Sequence, residues 1–273
     1  MNDEDLETNR AFWDERAARH GQDAYYDVAG FLGGSSPLHD VELRLLPDVA
    51  GLDLLHLQCH FGLDTLAWTR RGARVTGVDF SAVAVERAVG LAARAGLAAE
   101  FLQADTQRLP ASLDGRFDVV FASYGVLAWI RDVNAWMAGA ASALRPGGRL
   151  VLVELHPAAT MVETVDPLLV DFPYGGAAPL HFDSPGSYAD PELDTAANDT
   201  VQHAHSLGEV VTAVAAAGLV VQELREYLDA ESDDRGILVR GDDGRYRLPF
   251  GDQYLPVLYS LVAGASSGSQ PGA

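Results

Sequence analysis

The chain contains no lysine: its 19 basic residues are all arginine, against 39 acidic residues, so its formal net charge is −20 at pH 7. This absence excludes enzymes that form a lysine Schiff base, proteins with a lysine-bearing phosphate loop, and protein kinases. The negative charge predicts that neither nucleic acid nor an anionic membrane is a partner, since both are repelled at long range. A neutral or cationic small molecule suits this chain better.

Cysteine and long apolar runs are scarce as well. Cys59 is the single cysteine, so an internal disulfide is excluded. No run of 18 apolar residues occurs, and the N-terminus has no charged-then-apolar leader. With 273 residues, 48% of them hydrophobic, we expect a globular cytoplasmic protein with one elaborated core. The sequence does not indicate the oligomeric state.

Short apolar runs alternate with helical stretches from residue 52 onward. The runs are of strand length and lie at 52–57, 75–78, 101–102, 119–122 and 150–155, and the helical stretches lie at 63–71, 82–95 and 133–144. Strands that are apolar throughout, rather than alternating, are typical of a parallel sheet covered on both faces. The pattern therefore predicts an α/β fold with a doubly wound, Rossmann-like, mostly parallel sheet.

Other segments are predicted to surround this core, which spans 51–155. Residues 1–50 form an N-terminal helical cap, with a helix over 2–20, a glycine-rich flap with Tyr25 and Tyr26, and a helix that Ser36-Pro37 opens and that runs to about Leu46. Residues 156–205 are an inserted lid over the site, 206–263 complete the sheet, and 264–273 are a flexible tail.

Three polar positions follow the first three strands. The loop Gln58-Cys59-His60-Phe61-Gly62 precedes a helix, whose backbone amides can receive an anionic group, and Gly62 permits close approach of a ligand. Asp79 ends the second strand, where a carboxylate can accept both hydroxyls of a ribose. Asp105 follows the third strand and can hold an adenine amino group. Together these positions outline an adenosine.

In this combination the chain resembles the class I S-adenosylmethionine-dependent methyltransferases. The resemblance rests on the 58–62 loop, Val75-Thr76-Gly77-Val78-Asp79-Phe80-Ser81, Ala104-Asp105, and Phe117-Asp118-Val119-Val120 followed by Leu144-Arg145-Pro146-Gly147-Gly148-Arg149-Leu150. It implies a seven-stranded sheet and S-adenosyl-L-methionine as cofactor. The cofactor-binding residues that it implies are Gln58, His60, Gly62, Asp79, Phe80, Asp105, Thr106 and Ser123.

The first motif departs from the family pattern of an acidic residue followed by three alternating glycines. Those places are His56, Gln58, His60 and Gly62, so one glycine is left. The larger polar residues either contact the methionine end of the cofactor or mean that the protein has lost the cofactor. A catalytically silent binder or sensor of S-adenosylmethionine is the alternative function. An NAD-dependent oxidoreductase is a further alternative, because a glycine loop and a later acidic residue occur there too.

Methyl transfer needs a base only when the acceptor must lose a proton, and histidine has a suitable pKa. The candidates are Tyr26, His181, His203 and His205. The pair His203 and His205 could also hold a metal, but no third ligand has a recognisable spacing, so no metal is expected.

Aromatic residues near these segments predict the walls of an acceptor site for a planar indole or phenol. They are Tyr25, Tyr26, Tyr124, Trp129 and Tyr174. The predicted function is S-adenosylmethionine-dependent C-, N- or O-methylation of a small aromatic metabolite.

Overall fold

The sheet of the protein is built where the apolar runs predict it. The computed structural model describes residues 3–176, 178–233 and 235–265. Its helices are α1 (Asp3–Ala17), α2 (Val28–Gly33), α3 (Asp40–Leu45), α4 (Leu63–Arg70), α5 (Ala82–Ala95), α6 (Val133–Ala143), α7 (Pro157–Thr160) and α8 (Leu207–Ala216). None of the described helices is long and apolar enough to cross a membrane.

Seven strands form the central sheet, and shorter strands form three small sheets. The central strands are β1 (Asp53–Leu57), β2 (Arg74–Asp79), β3 (Glu100–Gln103), β4 (Phe117–Ser123), β5 (Leu144–Leu155), β10 (Leu219–Tyr227) and β14 (Leu258–Ala265). The others are β6 (Val162–Val165), β7 (Leu168–Val170), β8 (Leu180–Asp183), β9 (Asp199–Gln202), β11 (Val239–Arg240), β12 (Tyr246–Phe250) and β13 (Gln253–Leu255).

The strand order in the central sheet is β10-β14-β5-β4-β1-β2-β3. Neighbouring strands from β5 to β3 are parallel, whereas β14 is antiparallel to both β5 and β10. From β1 the chain continues to β2 and β3 on one side of the sheet, and from β4 it continues to β5 on the other side. Such a reversal leaves a crevice at the carboxyl ends of the strands, and ligands bind there in open α/β sheets. The predicted doubly wound sheet is confirmed.

Apolar side chains bury both faces of this sheet. On one face α6 and α8 cover Leu152 and Val120, with Trp136 fully buried between the helices and the sheet. On the other face α3 and α4 cover Val151 and Val153. This double burial explains why the strands are apolar throughout rather than alternating.

Two local predictions are wrong. The helix expected from Ser36-Pro37 begins only at Asp40, because Glu42 accepts the backbone N–H of His39 at 2.5 Å and so closes the helix start there. Gly264 and Ala265, expected in the flexible tail, belong to β14 and pair with β10. The rest of that tail, 266–273, lies outside the described residues.

The segment 156–205 carries small elements of its own and is tied to α1. It contains α7 and two hairpins, β6–β7 and β8–β9. Asn9 of α1 exchanges two hydrogen bonds of 2.8 Å with the backbone of Val201. The buried guanidinium of Arg16 donates to the carbonyls of Ser184, Gly186 and Ala197. Helix α1 and this segment therefore form one cover over the sheet.

Candidate functional site

A cavity of about 870 Å³ lies at the carboxyl edge of the sheet, beneath α1 and the 156–205 segment. Its volume is near the upper end for small-molecule sites, so it has room for more than one small ligand. Eight predicted cofactor-binding residues line it: Gln58, His60, Gly62, Asp79, Phe80, Asp105, Thr106 and Ser123. The topology brings them together because β1, β2, β3 and β4 are neighbours in the sheet.

Two carboxylates stand at the ends of neighbouring strands. Asp79 is 5% exposed, and its oxygens accept the backbone N–H groups of His60 at 2.8 Å and Ser81 at 2.9 Å. Burial raises the pKa of Asp79 to about 6, although these N–H groups act in the opposite direction. The backbone thus holds the carboxylate in place at the cavity wall.

Asp105 lies one strand further along the sheet edge. Its Oδ1 accepts the backbone N–H of Gln107 at 2.9 Å. Its Oδ2 is buried and accepts no hydrogen bond from any described residue; Arg108 Nε is 3.6 Å away. A buried oxygen without a donor costs free energy, so this atom has the capacity to accept a donor from a ligand.

The loop after β1 keeps a backbone shape that ordinarily calls for glycine. Gln58 and His60 have positive φ angles of 54° and 51°, in the left-handed region. The amide of Gln58 is occupied within the protein: it donates to the carbonyl of Val126 at 2.8 Å and accepts from the indole of Trp136 at 3.0 Å. Its side chain therefore secures the loop against the core.

Gly62 is required for packing as well. A Cβ at this position would lie 2.8 Å from both the Ala88 side chain and the Phe101 ring. His56 is a satisfied core residue, since its Nδ1 is hydrogen-bonded to the Thr65 hydroxyl at 2.9 Å. Burial lowers the pKa of His56 to about 3, which keeps it neutral.

The structure separates the four base candidates. His203 and His205 line the cavity, whereas His181 is exposed and lies outside the lining. The reason is strand alternation, because Leu180 and Phe182 on either side of His181 face the cavity. Tyr26 lines the cavity, but burial raises its pKa well above the usual value and its hydroxyl is hydrogen-bonded to that of Tyr188. Tyr26 therefore keeps its proton at neutral pH.

The imidazole of His203 differs from the others. It is 7% exposed and makes no side-chain hydrogen bond with any described residue. Its burial lowers its pKa, so the ring is neutral and free to accept a proton. By contrast, His205 Nε2 is hydrogen-bonded to the carbonyl of Ile130 at 2.6 Å. Within the described part of the chain, no group of three metal-binding side chains comes together.

Four of the five predicted aromatic residues line the cavity: Tyr25, Tyr26, Tyr124 and Trp129. Tyr174 is 40% exposed and is not among the lining residues. Trp13 of α1 extends this wall, with its ring centroid 5.1 Å from that of Trp129 and 5.5 Å from that of His60. The cavity thus has large aromatic faces beside its carboxylates.

Sequence reasoning missed a buried cluster that joins the loop to the cover. His20 Nδ1 lies 2.8 Å from His60 Nε2, and His20 Nε2 lies 2.5 Å from the Ser187 hydroxyl. Burial lowers the pKa of His20 to about 4 and that of His60 well below its usual value, so both rings are neutral. The sequence signal was weak: His20 and Ser187 are 167 residues apart, and no local motif joins them.

A family model described as "Methyltransferase domain" matches residues 54–148, which carry Asp79, Asp105 and the loop. Over these residues the chain is similar to methyltransferase domains, in agreement with its resemblance to the class I S-adenosylmethionine-dependent methyltransferases. The methyltransferase match favours this family over the NAD-dependent alternative, and S-adenosylmethionine is the cofactor of the family.

Solved structures of methyltransferases share the fold. A methyltransferase from Mesorhizobium loti aligns with a TM-score of 0.52 at 20% identity, covering 85% of this chain and 99% of that one. One from Methanosarcina mazei aligns with a TM-score of 0.56 at 17% identity, covering 84% of this chain and 98% of that one.

Curated relatives match the core only. A ubiquinone biosynthesis O-methyltransferase of Nitrosococcus oceani is 29% identical over 130 residues, which cover 45% of this chain and 55% of that protein. The one from Xanthomonas euvesicatoria is 31% identical over 143 residues, covering 49% and 59%. The chain thus spans about half the length of the curated relatives that it matches.

The residues of the site fit S-adenosylmethionine. The Oδ2 of Asp105, which accepts no hydrogen bond from a described residue, offers an acceptor for an adenine amino group, and Asp79 offers a fixed carboxylate for ribose hydroxyls. The aromatic faces of Trp13 and Tyr26 suit the sulfonium cation. The single Arg among the lining residues, Arg235, already donates to the carbonyls of Ala159 and Val162.

Proposed function

We propose that this protein transfers a methyl group from S-adenosylmethionine to a small acceptor that carries an aromatic ring. The observation that supports this proposal is that Asp79, Asp105 and the 58–62 loop line one cavity together with large aromatic side chains, and that Asp105 Oδ2 accepts no hydrogen bond from a described residue. The ubiquinone biosynthesis O-methyltransferases that resemble the core favour an oxygen nucleophile, such as a phenol. A nitrogen or carbon nucleophile, as in an indole, is the alternative.

When bound, S-adenosylmethionine supplies a methyl group that its sulfonium has already activated. The residues of this chain then have three tasks: they orient the two ligands, exclude water and receive a proton. Asp79 and Asp105 hold the adenosine, and the aromatic wall with its cover excludes water. His203 accepts the proton that the acceptor hydroxyl loses, because its imidazole is neutral and buried and makes no side-chain hydrogen bond with a described residue.

A catalytically silent binder is the second candidate, because the shape of the loop accounts for cofactor binding but not for catalysis. Gln58 and His60 hold left-handed conformations at loop positions where the family has glycine. A non-glycine residue in this conformation costs roughly 1 kcal/mol or more of folding free energy. The loop therefore keeps its left-handed conformation although it lacks the glycines that usually adopt it. A binder needs this shape as much as an enzyme does.

Calorimetry with S-adenosylmethionine and S-adenosylhomocysteine tests the shared part of both candidates. We expect both to bind, and Asp79→Ala to weaken binding by about 2 to 3 kcal/mol through loss of a charged hydrogen-bond acceptor. Unchanged affinity in a folded Asp79→Ala protein would refute the site assignment. Incubation of the wild-type protein with cofactor and metabolite extracts then separates the candidates, since a product heavier by about 14 Da appears only with an enzyme.

A further inference from the structure

Asp64 and Tyr124 line the cavity without a side-chain hydrogen bond to any described residue. Asp64, in the first turn of α4, is half-buried and lines the cavity, and no described residue donates a hydrogen bond to its carboxylate. Tyr124, which follows β4 with a φ of 48°, also lines the cavity, and its hydroxyl makes no hydrogen bond with a described residue. The carboxylate and the hydroxyl can therefore form hydrogen bonds with a polar atom of a ligand.

The surroundings of these two side chains are negative. Glu42 of α3 is 1% exposed, and burial next to Asp64 raises its pKa well above the usual value; burial also raises the pKa of Asp64, without a contribution from Glu42. Glu42 therefore holds its proton more firmly than Asp64 does. The other titratable groups that face the pair are Tyr26, His39 and Glu231, and the His39 imidazole is bound to Glu231 at 2.9 Å. No described arginine side chain pairs with Asp64. An anionic ligand group would be repelled here.

The ring of Tyr124 is held at this place by a buried carboxylate. Glu154, at the end of β5, accepts the backbone N–H groups of Gly125 at 2.5 Å and Leu127 at 2.9 Å. These bonds secure the turn that carries Tyr124. The His39 ring packs edge-to-face against it, with centroids 5.5 Å apart. The position of the phenol is thus set by packing and by backbone hydrogen bonds.

We propose that Asp64 and Tyr124 form a binding station for an ammonium group of the ligand. A carboxylate supplies a charge-assisted hydrogen bond, and an aromatic ring supplies an attractive face for a cation. This inference rests on the proposed function and narrows its substrate class. The ammonium group that binds here can belong to either of two ligands: it is the α-ammonium of the cofactor or an amine on the acceptor.

The experiment compares wild-type protein with Asp64→Asn, which keeps the shape of the side chain and removes its charge. Asp114→Asn, at an exposed position, is the matched control. Calorimetry is run with S-adenosylhomocysteine and with 5′-methylthioadenosine, which keeps the nucleoside and thioether but lacks the amino acid. Protein saturated with S-adenosylhomocysteine is then titrated with tyramine and with 4-ethylphenol, which differ by one ammonium group.

If the ammonium group belongs to the cofactor, Asp64→Asn should weaken the affinity for S-adenosylhomocysteine about tenfold or more and leave the affinity for 5′-methylthioadenosine unchanged. If the ammonium group belongs to the acceptor, the wild-type protein should bind tyramine more tightly than 4-ethylphenol, and Asp64→Asn should remove this difference in affinity. If neither S-adenosylhomocysteine affinity nor amine preference depends on Asp64, the station is overturned while cofactor binding stands. If the wild-type protein does not bind S-adenosylhomocysteine at all, the proposed function fails and the station with it.

Discussion

Arg16 ties α1 to the cover of the cavity, and its replacement by methionine is a sensitive test of that arrangement. The guanidinium is 1% exposed, stacks on the Phe12 ring at 3.6 Å and donates to three backbone carbonyls between residues 184 and 197. Methionine keeps most of the apolar stem but supplies no donor. The Arg16→Met change therefore leaves three carbonyl groups of the cover without a charged partner.

The expected loss follows from these contacts. A hydrogen bond from a charged donor contributes about 1.5 to 3 kcal/mol, and the cost of burying the guanidinium, which also lowers the pKa of Arg16, offsets part of the total. We expect the local opening of residues 184–201 to become easier by about 3 to 4 kcal/mol, the usual range for removing one partner from a buried charged network. Backbone amides there should exchange about 10² to 10³ times faster.

Hydrogen exchange followed by mass spectrometry measures this effect peptide by peptide. Strands β1, β2 and β4 should keep their wild-type protection, since Arg16 does not contact them. Arg19→Met, at an exposed position in the turn that follows α1, is the control and should leave the pattern unchanged. If a folded Arg16→Met protein exchanges residues 184–201 at the wild-type rate, the cover is not held by α1 and the reasoning is refuted.

Three further predictions concern the site. Affinity for S-adenosylhomocysteine should fall as the pH drops below about 6, because Asp79 is then protonated and the ribose hydroxyls lose a charged acceptor; the affinity of Asp79→Asn should be weak and flat between pH 5 and 8 in calorimetry. In steady-state assays His203→Ala should lower kcat by about 10²-fold with cofactor affinity unchanged, whereas Tyr26→Phe should keep most of the kcat. A large loss of kcat in Tyr26→Phe and a small loss in His203→Ala would instead make Tyr26 the base. Bound S-adenosylhomocysteine should slow amide exchange in 156–205 and around Tyr26, and protection confined to 52–80 would show that the cover does not respond to the ligand.

Much of the core could be predicted because its signals are local. Each apolar run became a strand, although β5 begins at Leu144, well before its apolar run at 150–155, and Asp79 and Asp105 lie at strand ends as their positions indicate. The helix expected from Ser36-Pro37 failed because the side chain of Glu42, three residues beyond His39, decides where that helix begins. This contact competes with the serine-proline signal, and the signal alone does not show at which residue the helix begins.

The roles of individual histidines could not be predicted in the same way. His181, His203 and His205 look alike in sequence, yet strand alternation turns His181 outward, a bond to Ile130 engages His205, and His203 stays free. Likewise Gln58 reads as a ligand contact but is engaged by Trp136, 78 residues away. These outcomes depend on which distant groups meet each side chain.

The sequence by itself determined the sheet, its strand ends and the acidic residues placed there, because hydrophobic periodicity and turn residues act over a few neighbouring positions. It also determined that chemistry based on lysine is absent. Only the tertiary structure decided that α1 and the 156–205 segment form one cover, that His20 lies against His60, and that Asp64 and Tyr124 line the cavity without a side-chain hydrogen bond to a described residue. Each of these depends on contacts between residues far apart in the chain, whose burial and hydrogen bonding are set by the packed fold as a whole.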